Sequence, residues 1–440
     1  MKLFFVIILL LLNGCSFDDK SGIWKNEKNI NDEKNNIFKD FEKLSTEIEK
    51  FNKTILSDKN FQFSISKKIN NLSWNDIFFN SSNNFKNFEY QNLNQIFYKS
   101  KKISRHELRN YILYENDNVI ASDLKGNLII KPVNKKIKSK KFNFYKKKYK
   151  TIEKKLNIVI QKNIIYISDN LGYLYAYDYT KEQVIWAKNY KVPFRSNIKI
   201  INDKLVAADQ NNKIYFFYKK NGNILKTFPT EETIIKNEFI NSISSNDQSI
   251  FFLNTFGTLY SINKKSLRLN WFINLNQTLD LRPSNAFLSN QIINNENKIL
   301  ISSRDLTFVI DANSGSITQK FNFGSSINST ILDDYAFLVT NNGFLISLDL
   351  RSGKIIYSFN LNDKIADFFN IKKKKISPKN IVILSDDIFI FLKNSYLVRF
   401  DIFGDIKSVN KLPSKLKSFP IYIKKKIIFL NINNKLVIVN

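Results

Sequence analysis

Residues 167–178 read "ISDNLGYLYAYD". One apolar run enters a four-residue turn, Asp169-Asn170-Leu171-Gly172, and a second leaves it, the pattern of a β-hairpin. The pattern recurs as "VIASDLKGNLII", "LVAADQNNKIYFFY", "IFFLNTFGTLYSIN", "ILISSRDLTFVID", "AFLVTNNGFLISLD", "IFIFLKNSYLVRFD" and "IIFLNINNKLVIVN". The turn residue before the second strand falls at Gly126, Gly172, Asn212, Gly257, Asp305, Gly343, Ser395 and Asn434. Gaps of 46, 40, 45, 48, 38, 52 and 39 residues separate these positions, a mean of 44. A strand-only repeat of that length predicts a β-propeller, and eight registers predict eight blades.

The chemistry of the repeat agrees. Runs such as "NIIYIS" and "SIFFLN" are apolar without alternation, as expected of strands covered on both faces. One such sheet cannot bury both faces alone, whereas blades stacked around an axis can. Six residues after the turn position stands Asp178, Asn263, Asp311, Asp349, Asp401 or Asn440, a side chain able to close the next turn by bonding the backbone two residues on. Trp186 and Trp271 stand eight residues beyond Asp178 and Asn263. The last repeat ends at Asn440 after two recognisable strands, so its blade lacks an outer part. The segment Phe61 to Asp76, which carries Trp74, is the expected donor of the missing strand.

The N-terminus reads "MKLFFVIILLLLNGCS": a Lys, an unbroken apolar run from Leu3 to Leu12, then Asn13-Gly14-Cys15. The run is short for a bilayer span and ends in small residues, as secretory signals do. It resembles a bacterial lipoprotein signal, residues 1–14, with Cys15 as the lipidated residue and the only Cys of the chain. Ser16 in place of Asp implies, by that resemblance, sorting to the outer membrane of a Gram-negative cell. Residues 15–60 then form a tether. Within it Ile37, Phe41, Leu44, Ile48, Phe51 and Ile55 keep heptad spacing, predicting an amphipathic helix over about 37–56. It either packs on the protein's own surface or binds a partner. The propeller is expected over 61–440.

A net charge of +29 favours anionic contacts, although Lys, Asn and Ile abound throughout the chain, as an AT-rich genome would impose. "KKIKSKKFNFYKKKYK" at 135–150 and the lysine runs at 372–375 and 424–426 are therefore either solvated loops or sites for anionic lipid or an acidic protein. Nucleic acid is not an expected partner of an exported chain. One Cys and one His exclude an internal disulfide and a zinc site of the usual Cys/His kind. His106 has Glu107 beside it but no nucleophile motif, and reads as a surface residue. Asp333-Asp334 and Asp386-Asp387 read as turns at strand entries. No catalytic constellation, metal site or cofactor site emerges.

The "G-x-L-x-A-x-D…G-x-x-x-W" style of repeat resembles the quinoprotein-like propellers. Together with the lipobox, the tether and eight blades, it resembles the BamB family of outer-membrane assembly lipoproteins. The resemblance implies a noncatalytic scaffold that docks on the periplasmic POTRA domains of a BamA-like subunit. It also implies a monomer within a hetero-complex, anchored at the periplasmic face of the outer membrane. In that family the docking loops of middle blades include a hydrophobic-Arg pair. The matching positions are Phe194-Arg195 in "KVPFRSN" and Arg282 in "LDLRPSN". Quinone-dependent dehydrogenases share the propeller, but their vicinal Cys pair is missing, and a shared fold carries no activity with it. The alternative is an envelope propeller that recognises glycan, lipid or another protein.

Overall fold

Each sequence repeat becomes the two middle strands of a four-stranded antiparallel sheet, and the chain builds eight such sheets. The computed structural model describes residues 51–133, 137–145, 149–233, 241–276, 286–325 and 327–440, with the backbone of 16–17 and 24–25. The chain divides into two units, Met1–Glu49 and Lys50–Asn440. In the first, Ser16–Phe17 pairs antiparallel with Trp24–Lys25. The second is the eight-bladed β-propeller.

Blade 2 shows the pattern, with Asn157–Gln161 innermost, then Ile164–Ser168, Tyr173–Asp178 and, outermost, Gln183–Asn189. Innermost strands of successive blades touch around the axis, as Lys199–Ile201, Ser242–Ser245, Ile293–Asn294 and Thr330–Leu332 do. Middle strands are buried along their length, "SIFFL" at Ser249–Leu253 without exception. The outer strand Ile317–Phe321 alternates, because one of its faces is covered and the other meets solvent. The core is accordingly a ring of seams. Val206 and Phe216 of blade 3 pack on Ile250 and Phe252 of blade 4, and Phe251 of blade 4 packs on Ile299 and Phe308 of blade 5.

Side chains close the turns as the sequence implies. Asp123 Oδ1 accepts from the amides of Lys125 and Asn127, and Asp169 Oδ1 from those of Leu171 and Tyr173. At the next turn Asp178, Asn263, Asp311, Asp349 and Asp401 each accept from the amide two residues on, at 2.9–3.1 Å. Trp186 and Trp271 lock neighbouring blades together. Their indole Nε1 atoms donate to Lys219 O (3.1 Å) and Ala312 O (3.3 Å) of the following blade. Each ring also lies flat against a glycine of left-handed φ, Gly222 (+72°) and Gly315 (+77°). A Cβ there would approach the ring to 2.4 and 2.6 Å, so glycine is required both for the turn and for the contact. Elsewhere Lys226 Nζ reaches Leu267 O (2.6 Å) and Tyr357 OH reaches Ile402 O (3.1 Å) from equivalent places.

Ring closure differs from the expectation in its donor. The eighth blade takes three strands from the C-terminus, Ile421–Ile423, Lys426–Leu430 and Lys435–Val439, and its outer strand is Ile96–Lys102. The segment 61–76 is not that strand. Instead it leads into a plug. Residues 71–91 circle the axial channel once, meeting every blade in order. Asn71 Nδ2 donates to Tyr422 O of blade 8, and Trp74 exchanges backbone bonds with Tyr114 of blade 1. Asn75 O accepts from Ile160 N of blade 2, and Asp76 meets Lys199 of blade 3. Ser81 O and Ser82 O accept from Ser245 N of blade 4 and Asn294 N of blade 5. Asn84 bonds both backbone groups of Ile331 in blade 6, Phe88 pairs with blade 7, and Gln91 N reaches Lys425 O of blade 8. The plug thus satisfies inner-strand backbone groups, among them Ile160 N, Ser245 N and Asn294 N, that burial would otherwise leave unpaired.

The chain enters the propeller at blade 6. Residues 51–56, placed by the heptad at the end of a helix, are extended: Ile55 and Ser358 exchange backbone bonds of 2.9 Å along that blade's outer edge. The remainder of the heptad segment, 37–50, lies outside the described residues. Phe61 and Phe63 then cover the seam of blades 6 and 7 against Tyr335, Tyr357 and Phe403.

Candidate interaction surface

A propeller offers two places for a ligand, the axial channel and the loops at its two faces. The channel is occupied by the chain itself. At its centre Lys199, with no exposed side-chain surface, donates to Asp76 Oδ2 (2.8 Å), Asn80 O (2.8 Å) and Asn83 Oδ1 (2.5 Å). Burial pushes the Asp76 carboxyl up and the Lys199 ammonium down, and their attraction opposes both shifts. Asn83 Nδ2 continues the network to Ile243 O and Ile292 O, at 3.0 and 2.9 Å. Beside it Trp74, Phe78, Phe85, Tyr111 and Phe419 wall a small, largely aromatic cavity. Among the described residues no three His, Cys, Asp or Glu side chains gather in a way that could hold a metal ion.

The two faces differ. The turns after the innermost strands, on the side of the plug, are short, as at Asp333-Asp334 and Asp386. The opposite face carries the hairpin turns of the sequence repeat and the longer crossings between blades. On it, blades 6 to 8 are strongly basic. Lys372, Lys373, Lys374 and Lys375 are exposed on the crossing from blade 6 to blade 7, with Lys393 and Lys415 exposed on nearby turns. Lys379 is half-buried, over the Phe419 ring, and donates to Lys417 O. Burial, with Lys393 and Lys417 close by, lowers its pKa to about 8.

The residues singled out from the sequence fall in different settings. Phe194 is 2% exposed, packed against Tyr190, Tyr215 and Phe217 in the seam of blades 2 and 3. Its ring is therefore core and not the surface anchor expected of it, because the aromatic seam removes it from water where the loop surface would not. Arg195 is half-buried on the same crossing, its backbone bridging Ala208 and Asn241. Arg282 and Cys15 lie outside the described residues. His106 is exposed, as expected. The plug, which decides what the channel can do, was missed. Its one signal is the run of Asn and Ser within "NDIFFNSSNNFKNF", residues that bond backbone groups in trans as readily as they close turns.

Comparison with known proteins agrees on the fold. A crystal structure of BamB from Moraxella catarrhalis superposes with a TM-score of 0.59 at 13% identity, covering 77% of this chain and 99% of that one. The computationally designed Ika8 protein superposes with a TM-score of 0.58 at 9% identity, covering 78% and 99%. Identities this low speak to architecture alone. No protein-family model and no curated protein sequence matches the chain.

Proposed function

We propose that this chain is a noncatalytic scaffold of outer-membrane β-barrel assembly, anchored by lipid on Cys15 and docked on POTRA-type periplasmic domains of a BamA-like subunit. The observation that carries the reading is the plug. A channel filled by its own chain across all eight inner strands leaves recognition to the loops, which suits a protein partner better than a small substrate. The BamB-like architecture and the lipobox-like "LNGCS" support the same reading. With Phe194 in the core, Arg195 and Arg282 remain the proposed contacts, each offering a planar, directional donor in a chain otherwise rich in lysine.

The test is a photo-crosslinking side chain at Arg195 or Arg282, activated in intact cells, with the captured protein identified by mass. Capture of the assembly subunit is expected at one of these positions at least. Capture of an unrelated envelope protein at both would favour the alternative, a binding propeller of other duty.

A further inference from the structure

The crossing from blade 6 to blade 7 holds the one helix of the described propeller, Leu361–Phe369. Asn360 caps its start by accepting from Asn362 N (2.9 Å), and Asn370, left-handed at φ 54°, stops it. Leu361 and Ala366 are buried against the rim of blades 6 and 7. At its end three large apolar side chains stay in solvent: Phe368 (47%), Phe369 (44%) and Ile371 (53%). The lysines of 372–375 follow at once. Lys373 pairs with Asp363 (2.5 Å) and Lys364 with Asp405 (2.9 Å). Lys372, Lys374 and Lys375 have no acidic partner among the described residues, and Asp367 is the only acidic side chain of 361–375 without a lysine. With five Lys and two Asp, the fifteen residues carry a net charge of +3.

We propose that this helix end, residues 366–375, is a membrane contact that reads anionic lipid headgroups. Phe368, Phe369 and Ile371 enter the interfacial layer, and Lys372, Lys374 and Lys375 neutralise headgroup phosphates. Aromatic and aliphatic side chains beside a lysine cluster match that layer, where apolar carbon lies just below negative charge. Lysine, a flexible point charge, suits a fluid array of phosphates; arginine would suit fixed bidentate carboxylates. Placement argues the same way. Asn342 Nδ2 holds Phe51 O where the chain enters the propeller, and the adjacent Gly343 O accepts from Leu361 N at the helix start. The point at which the chain enters the propeller, Phe51, thus lies beside this element. The basic turns bearing Lys393 and Lys415 flank it on the same face.

The test reads this segment alone, so it does not depend on how the N-terminus is anchored or on any protein partner. The full chain is mixed with vesicles of phosphatidylcholine, or of phosphatidylcholine with phosphatidylglycerol, and amide exchange is followed over 361–375. Exchange slowed about tenfold or more on the anionic vesicles, and unchanged on the neutral ones, is the expected result, with roughly fivefold affinity per lysine at stake. Lys372→Glu with Lys374→Glu and Lys375→Glu should abolish the protection, and Phe368→Ser with Phe369→Ser should weaken it. All five side chains are exposed, so thermal melting should stay at the parent value and the lysine variant remains informative if the serine variant misfolds. Equal protection on both vesicles, or none on either, overturns the proposal. Protection by soluble polyglutamate but not by vesicles overturns it in favour of an acidic polypeptide.

Discussion

At the residue scale the buried Lys199–Asp76 pair carries the most consequence. Its desolvation cost is offset only while both partners and both asparagine-region acceptors are present. Lys199→Met should therefore cost about 3–5 kcal/mol in urea unfolding, by stranding a buried carboxylate. Adding Asp76→Asn should recover much of that loss, because the amide still accepts from Phe78 N. A double variant no more stable than the single would show that the pair is not coupled. Lys379 gives a pH signature. Its folded pKa of about 8 lies below the ordinary 10.5, so between those values the unfolded chain binds the extra proton and parent stability rises with pH. The stability of Lys379→Met relative to parent should consequently fall as pH increases from about 8 towards 10.5. A flat difference would mean that Lys379 is not desolvated. Neither lysine is visible as special in the sequence. "NIKII" and "SPKNIV" read as ordinary strand edges, and only packing reveals that the ammonium groups point inward. Phe194 failed in the opposite sense, since an aromatic beside an arginine reads alike whether the ring faces solvent or seam.

At the element scale the hairpins were legible and their neighbours were not. The two middle strands of a blade are covered on both faces, so they leave unbroken apolar runs around a turn that favours Gly, Asn, Asp or Ser. Seven of the eight turn positions take a left-handed φ, Asp305 excepted, which is why one glycine-poor sequence still reveals its period. Several innermost strands are short or partly polar, as "SISS" at Ser242–Ser245 and "IN" at Ile293–Asn294 are, and escape that test. The plug escapes it altogether, having no period of its own. Between elements, the Trp186 latch is the piece most open to experiment. Trp186→Ala removes the indole from Gly222 and its bond to Lys219 O, and should cost about 3 kcal/mol with the fold retained. Trp186→Phe, which keeps the ring but not the donor, should cost about 1 kcal/mol. Equal losses in thermal or urea melts would mean that the hydrogen bond alone makes the latch.

At the scale of the whole molecule, the closing strand and the plug come from one continuous stretch, which makes the ring a single object. Deleting residues 1–49 should leave melting of the propeller unchanged, since the unit Lys50–Asn440 keeps every contact described within the blades, the plug and the closing strand. Deleting residues 1–102 removes the plug and the outer strand of blade 8 together, leaving an open edge and an unlined axis. That product should aggregate rather than melt cooperatively, as light scattering and calorimetry would report. A soluble, cooperative product would mean that seven complete blades suffice. The same wiring has a consequence in time. The segment that touches all eight inner strands is made before any of them, and Tyr90 OH must still find Asn440 O, 350 residues downstream. Nascent chain cannot settle blade by blade into its final form; the earliest stretch must wait for the latest. Folding of so non-local a design is expected to be slow. During that wait the apolar hairpins stand uncovered, and so do Trp74, Phe78, Phe79, Phe85 and Phe88 of the waiting stretch itself, so association between chains competes with closure until the last blade is made.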